Sequence, residues 1–179
     1  RDGTHQRRPN RSDQLAQGVL GRGRVHARGQ NAVRQPLRIV DPARERGTPR
    51  PSREPISPVA FMDRHGVLGP RTLCIHAIDV DEADADLLAR HGTAVAHCPR
   101  SNRVHHGADA PVGRYLARGL RLGLGTDSEI SVDPPDLLAE AAAALALTGW
   151  SPRQAIRALT LGGAEAIERD GECGSLDPG

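Results

Sequence analysis

The sequence predicts an α/β fold with short parallel strands, preceded by an irregular arginine-rich segment. Short apolar runs alternate with amphipathic segments over residues 57–167, and this alternation is typical of parallel strands joined by crossover helices. The charge is also unevenly divided, because residues 1–53 carry a net charge of +9 and residues 54–179 carry −7. We therefore expect two regions, 1–53 and 54–179, of which only the second has the pattern of a folded domain.

The first region has neither a helical nor a strand period. It is rich in Arg, Gly, Pro and Gln, and its longest apolar pieces are "GVL" and "LRIV". Such a composition buries too little apolar surface to offset the entropy of ordering, so we expect residues 1–53 to be disordered or non-native sequence. An arginine-rich arm binding nucleic acid is one hypothesis. The arm has no aromatic side chain for stacking on bases, so nucleic acid is not the partner we expect.

The elements of the second region follow one another in a regular order. The sequence predicts helices over 57–66, 79–92, 111–119, 134–149 and from 151 to about 167, and strands over 71–78, 93–97 and 120–125. Several helix ends carry local signals, such as Pro58 at a first helical position, Gly92 after a last turn and the capping box Ser151-Pro152-Arg153-Gln154. In the helix over 134–149 one stripe is expected to face the core, formed by Leu137, Leu138, Ala141, Ala142 and Leu145.

Cysteine usage and hydropathy bear on the compartment. Cys74, Cys98 and Cys173 are far apart and form no CxxC motif, which indicates free thiols in a reducing cytoplasm. No apolar run approaches the roughly 18 residues of a membrane span, and residues 1–20 have no apolar core of a signal peptide. We therefore expect a cytoplasmic protein with no membrane partner.

Polar side chains end or directly follow the three predicted strands. His76 and His97 lie at the ends of two of them, and Asp127 follows the third in "RLGLGTDSEIS". In parallel α/β folds the carboxyl ends of the strands meet at one edge, where function gathers. Imidazole and carboxylate groups that converge there could bind a divalent metal or move a proton to and from a bound water.

Three blocks of the sequence resemble the amidohydrolase superfamily, in the branch of the cytosine, guanine and S-adenosylhomocysteine deaminases and chlorohydrolases. The blocks are "LCIHAIDVDEADADLLARHGTAVAHCPRSN", "GADAPVGRYLARGLRLGLGTDSEIS" and "GSLDPG". The resemblance covers residues 57–179 and implies that they form the C-terminal part of a (β/α)8 TIM barrel, namely strands six to eight with their helices.

The resemblance also implies roles for individual residues. His76 falls on the strand-six histidine, which contacts the water or substrate and helps to stabilise the transition state. Asp127 falls on the strand-eight aspartate, which binds the metal and relays the proton from the attacking water to the leaving amine. His97 and Asn102 match the "HCPxSN" element that shapes the pocket, and Ser128 follows the metal aspartate, so these three are the expected substrate-binding residues.

The sequence departs from the family pattern in its metal ligands. It contains neither the HxH pair of strand one nor the HxxE motif of strand five. We therefore expect a C-terminal fragment of a longer metal-dependent hydrolase, inactive as this chain, which acts on carbon–nitrogen bonds of a small heteroaromatic or purine-like amine. Zinc is the expected metal, with iron as the alternative, and a homo-oligomer is compatible with the full-length enzyme. A non-catalytic half-barrel remnant or interaction module is the competing hypothesis.

Overall fold

The structure is a computed structural model that describes residues 37–40 and 56–176. These residues form four strands and seven helices. In chain order the elements are β1 (Arg38–Val40), α1 (Pro58–Arg64), β2 (Thr72–Ile75), α2 (Glu82–Arg90), β3 (Ala94–His97), α3 (Pro99–His106), α4 (Val112–Ala117), β4 (Leu122–Leu124), α5 (Leu137–Thr148), α6 (Pro152–Leu159) and α7 (Leu161–Ala166).

All four described strands are parallel and lie in the order β1-β2-β3-β4. The register pairs Cys74 of β2 with Val95 of β3, and Ala96 of β3 with Gly123 of β4. Because a helix lies between each strand and the next, all four strands run in the same direction. Their carboxyl ends therefore lie at the same edge of the sheet. The α/β class with a parallel sheet is confirmed.

β1 is a strand that the sequence analysis did not predict. Its residues, Arg38–Val40, lie in the segment 1–53 that we expected to be irregular, yet they pair in parallel with Thr72–Cys74. The expectation is wrong for these three residues, because so short a strand shows no alternation of its own and depends on pairing with a distant neighbour. The rest of that segment, 1–36 and 41–53, lies outside the described residues.

Local capping explains why several helices begin where the sequence predicts. The Ser57 hydroxyl accepts a backbone N–H of the first turn of α1 at 3.0 Å, and the Asp81 carboxylate accepts the Asp84 N–H at the start of α2 at 2.8 Å. At the start of α6 the Ser151 side chain accepts the backbone N–H of Gln154, and the Gln154 side chain accepts the backbone N–H of Ser151, which makes a capping box. Each cap provides an acceptor for an N–H that has no partner within its own helix.

Two helical features differ from the prediction. α3 was not predicted, because "PRSNRVHH" is polar and has no apolar stripe. The single helix expected through about Ile167 is instead divided at Thr160, whose φ and ψ are −116° and −104°. The chain passes very close to β4 just after this break, since a Cβ on Gly162 would lie 2.6 Å from the Leu122 carbonyl oxygen.

The main core lies between the sheet and the helices on one side of it. Its largest fully buried side chains include Tyr115, Leu88, Val59 and Val95, and Trp150 belongs to the same cluster. These side chains come from α1, α2, α4, β3 and the residues before α6. The core therefore holds the helices against the sheet whose strand ends carry the candidate residues.

The buried face of α5 differs from the expected stripe. Ala141 is buried as predicted and Leu145 packs against the core, but Leu137 and Leu138 are exposed and so is Ala142. The residues that α5 buries are Glu140, Ala141 and Ala144. Because α5 is apolar nearly all round, hydrophobicity alone does not select one face of it.

The state of the thiols and the character of the helices both bear on the compartment. Cys74 and Cys98 are buried and Cys173 is exposed, and no disulfide joins any two of these three cysteines. Within the residues that the structure describes, no helix has the length and apolar character needed to cross a membrane. The cytoplasmic location stays a prediction.

Candidate functional site

A sharp backbone turn at the end of β2 places His76. The φ values of His76 and Ala77 are 66° and 44°, in the left-handed region that costs a residue with a Cβ about 1–2 kcal/mol. Two contacts hold this turn: the His76 N–H donates to the Ala96 carbonyl at 3.0 Å, and the buried Tyr115 hydroxyl donates to the Ala77 carbonyl. The His76 side chain is thereby fixed at the strand end and is nearly buried.

Asp127 lies just beyond the end of β4, also with a positive φ, of 61°. Its Oδ2 accepts the Ser101 hydroxyl at 2.5 Å, and its Oδ1 accepts the Ser128 N–H at 2.8 Å. Burial acts to raise the pKa of Asp127, but hydrogen bonds from Ser101, Ser131 and Ser128 and the nearby His76 outweigh burial and bring that pKa below its usual value. The carboxylate is therefore ionised at neutral pH.

His76 and Asp127 come together at the carboxyl edge of the sheet. Their Nε2 and Oδ2 atoms are 3.7 Å apart, so the expected convergence is found for these two side chains. On the other side of the ring, His76 Nδ1 donates to Asn102 Oδ1 at 2.8 Å. Because the amide oxygen only accepts, this bond assigns the proton of a neutral ring to Nδ1 and leaves Nε2 facing Asp127.

α3 supplies the side chains that orient this pair. Ser101 and Asn102 are adjacent in its first turns and are fully buried, and they bond to Asp127 and His76 respectively. At the far end of α3, the ring of His106 lies 6.0 Å from the ring of His76 between centroids. The unpredicted helix therefore borders the site along its length.

His97 is not part of this hydrogen-bonded group. It ends β3 as predicted, but none of its side chain is exposed, and its ring meets Trp150 edge-on with centroids 6.1 Å apart. Burial lowers the pKa of His97 to about 4, with Asp109 opposing the shift and His76 adding to it. The lowered pKa keeps the ring neutral at neutral pH, neither ring nitrogen has a hydrogen-bond partner among the described residues, and the substrate-binding role of His97 stays a prediction.

Ser128, in contrast, lies at the exposed rim of the site. Its backbone N–H binds Asp127, and its hydroxyl lies 3.3 Å from the Ser131 hydroxyl. Its side chain is therefore accessible at the opening next to the carboxylate.

Glu140 is a site-adjacent residue that the sequence analysis missed. This acid of α5 is fully buried, and its Oε2 accepts the backbone N–H of Arg100 at 3.0 Å. A signal for it was present, because Glu140 is the single charged residue in the otherwise apolar helix "LLAEAAAALALT".

The described residues do not make a complete metal centre. No group of three or more His, Cys, Asp or Glu side chains among them is placed to hold a metal ion. Catalytic zinc commonly has three protein ligands and an open position, whereas this edge of the sheet offers the Asp127 carboxylate with one imidazole beside it. The residues therefore do not fit a metal ion by themselves.

Comparison with known proteins identifies the relatives of this chain. Residues 52–179 match the family model described as "Amidohydrolase family". The 5-methylthioadenosine/S-adenosylhomocysteine deaminase of Syntrophobacter fumaroxidans is 36% identical over 130 residues, which are 68% of this chain and 30% of that protein. The chain thus spans about a third of the length of this curated relative.

Solved structures agree with the sequence match. An adenosine deaminase from Xanthomonas campestris with bound zinc matches with a TM-score of 0.63 and 30% identity, over 69% of this chain and 30% of that one. The atrazine chlorohydrolase from Arthrobacter aurescens TC1 complexed with zinc matches with a TM-score of 0.60 and 28% identity, over 69% of this chain and 29% of that one. With the family model covering most of its length, this chain belongs to the amidohydrolase family.

Proposed function

We propose that this chain supplies the proton-transferring side chains of a hydrolase that removes an amino group from a small heteroaromatic or purine-like amine. The observation that carries the proposal is the pairing of Asp127 with His76, 3.7 Å apart at the carboxyl edge of a parallel sheet. Membership of the amidohydrolase family supports the reaction class, and relatives named as deaminases support the type of bond.

The sheet corresponds, in this proposal, to the last strands of a (β/α)8 barrel. β2, β3 and β4 would be strands six, seven and eight, and β1, which lies beside β2, would then be strand five. The family pattern requires a histidine at that strand, but β1 reads Arg-Ile-Val. The proposed activity is still that of a metal-dependent enzyme, because solved structures similar to this chain contain zinc, while the described residues supply Asp127 alone as a ligand.

Asp127 is suited to move the proton that deamination requires. Hydrolysis adds the oxygen of water to the carbon that bears the amino group and releases ammonia, so one water proton must travel to the leaving nitrogen. Asp127 accepts hydrogen bonds from Ser101, Ser128 and Ser131, and because a carboxylate has about four acceptor positions, one stays open for a further donor. The ionised carboxylate takes the proton of the attacking water and then delivers it to the amine.

The Nε2 atom of His76 faces the space beside the Asp127 carboxylate. With the Nδ1 proton held by Asn102, Nε2 is the nitrogen that exchanges a proton or hydrogen bond with the reacting groups. Asn102 thus acts through His76, and Ser128 at the rim is the member of the expected substrate-binding set that reaches solvent.

His97 has a different role in this proposal. It was expected to bind substrate, but its buried ring against Trp150 supports a role in shaping the floor of the pocket. The small-molecule substrate would enter from the side of Ser128 and His106.

A chimera tests the reaction class. Residues 52–179 replace the matching part of the Syntrophobacter fumaroxidans deaminase, and the product is offered S-adenosylhomocysteine, 5-methylthioadenosine, adenosine and atrazine. The proposal predicts ammonia release from at least one adenine-containing amine. Release of chloride from atrazine without ammonia from any amine would replace deamination by dehalogenation, and no turnover of any compound by a folded chimera would favour the non-catalytic remnant.

A further inference from the structure

Glu140 is a fully buried acid beside the candidate site that has no place in the proton transfer described above. It is fully buried in the first turn of the largely apolar helix α5. Burial raises the pKa of Glu140, and contacts with Arg100 partly offset this effect. A buried acid is costly to keep unless its hydrogen bonds repay the loss of water, so the partner of Glu140 indicates what the residue does.

That partner is the beginning of α3. The N-cap residue of α3 is Cys98, which makes no side-chain capping bond, and the first turn of this helix contains no acidic residue. Glu140 Oε2 accepts the Arg100 N–H at 3.0 Å, and Glu140 Oε1 lies 3.7 Å from the Arg100 guanidinium. A carboxylate from another helix thus performs the function of the missing cap, and its charge also faces the positive end of the helix dipole.

The turn that Glu140 caps is also the turn that holds the candidate site. The two residues after Arg100 are Ser101, whose hydroxyl donates to Asp127 at 2.5 Å, and Asn102, which binds the His76 ring at 2.8 Å. Both bonds are short and directional, so a shift of this turn by a fraction of an ångström would change the orientation of both side chains.

We propose that Glu140 is a positioning residue, which acts through the first turn of α3 to fix Asp127 and the ring orientation of His76. The catalytic meaning of this inference rests on the function proposed above, because that function makes Asp127 and His76 the acid–base pair. The geometric claim is separate: removal of the Glu140 acceptor loosens the Asn102–His76 contact even in the absence of substrate.

The test uses the full 179-residue chain labelled with 15N-histidine, observed by 1H–15N correlation of the imidazole rings at one pH. The signals of His76 are assigned by their loss in His76→Gln. In the wild type we expect two well-separated ring-nitrogen resonances, as a single fixed tautomer requires. In Glu140→Met, which keeps the side-chain volume and removes the acceptor, both resonances shift toward the averaged position, whereas Glu140→Gln, which retains an acceptor oxygen, keeps them in place.

The matched control is Ser151→Ala, which removes the helix cap that Ser151 forms with Gln154 of α6. It should lower the unfolding midpoint while leaving the His76 resonances unchanged. The proposal is overturned if Glu140→Met leaves the His76 resonances in place, if Glu140→Gln moves them as far as Glu140→Met does, or if Ser151→Ala moves them equally.

A second measurement decides the matter if Glu140→Met does not fold. In the wild type, the Arg100 amide should exchange with solvent at least about a hundredfold more slowly than an unprotected amide, since a buried carboxylate accepts it. Rapid exchange at Arg100 in a folded chain contradicts the proposal without any variant. None of these readouts needs turnover, so a chimera that fails to release ammonia would refute the proposed function and leave the positioning role standing.

Discussion

Replacement of His97 should make the stability of this chain less sensitive to acid. The folded protein holds the buried His97 neutral, with a pKa lowered from 6.5 to about 4, whereas an unfolded chain has the ordinary value. Between these two values the unfolded state binds a proton that the folded state does not. Stability is therefore unaffected by His97 above about pH 7, falls as the pH decreases through the ordinary value, and stops falling below the folded-state pKa.

The size of the effect follows from the gap between the two pKa values. One pKa unit corresponds to about 1.4 kcal/mol, so the gap between 6.5 and about 4 is worth about 3 kcal/mol when complete. At about pH 5 the loss is about 2 kcal/mol. This is a large share of the 5–15 kcal/mol that is typical of a domain.

Urea unfolding followed by far-UV circular dichroism at about pH 7 and pH 5 measures the effect. His97→Phe and His97→Gln both remove the titrating group but pack differently against Trp150. Both should lose about 2 kcal/mol less than the wild type between these pH values, whatever their stability at neutral pH. An equal pH dependence in the wild type and both variants would refute the idea that His97 is buried neutral.

Two further substitutions test the packing around the sheet and the turn after β2. Gly123→Ala places a Cβ 2.9 Å from the Gly163 backbone and should lower the free energy of unfolding in urea by about 1–3 kcal/mol. The control Gly113→Ala, with nothing within 4 Å of its Cβ, should not lower it. Equal effects of the two substitutions would contradict the close packing of β4 on α7. Tyr115→Phe removes the hydroxyl that donates to the Ala77 carbonyl and should lower the free energy of unfolding by about 1–3 kcal/mol, and an unchanged unfolding midpoint would show that this bond does not hold the turn.

Much of the fold was predictable because its signals are local. The Ser57, Asp81 and Ser151 caps each act within one turn of their helices, so the sequence indicates where these helices begin. The alternation of strand and helix, together with the uniform hand of crossover connections, then makes the sheet parallel. The same argument brings the ends of β2 and β4 together and predicts that His76 and Asp127 meet.

The features that were not predicted depend on distant contacts. β1 has three residues and is defined by its pairing with β2. α3 has no apolar stripe, and its first turn is capped by Glu140 from α5, 40 residues along the chain. The break at Thr160 accompanies the close approach of Gly162 to β4. Sequence spacing carries no information on such contacts, because each is decided by how separate elements pack.

The candidate site also combines features that the sequence predicts with features that depend on distant contacts. Topology alone predicts which strand ends carry His76 and Asp127, but it does not predict which way the side chains of the next helix face. The contact of the Asn102 amide oxygen with His76 was not predicted, and the expected contact of Asn102 with substrate stays a prediction. The edge-on packing of the His97 ring against Trp150 was likewise not predicted, and its expected contact with substrate stays a prediction.

The most direct test is the rate of ammonia release by the chimera that carries residues 52–179. This rate is compared between the unsubstituted chimera and its Asp127→Asn variant. Asparagine keeps the size of the side chain but neither accepts a proton nor supplies a charge. We expect the rate to fall by about 10²–10⁴-fold, while the control Asp170→Asn, at an exposed position away from the site, leaves it unchanged. An Asp127→Asn chimera that releases ammonia at the unsubstituted rate would contradict the central claim that Asp127 moves the proton in the proposed reaction.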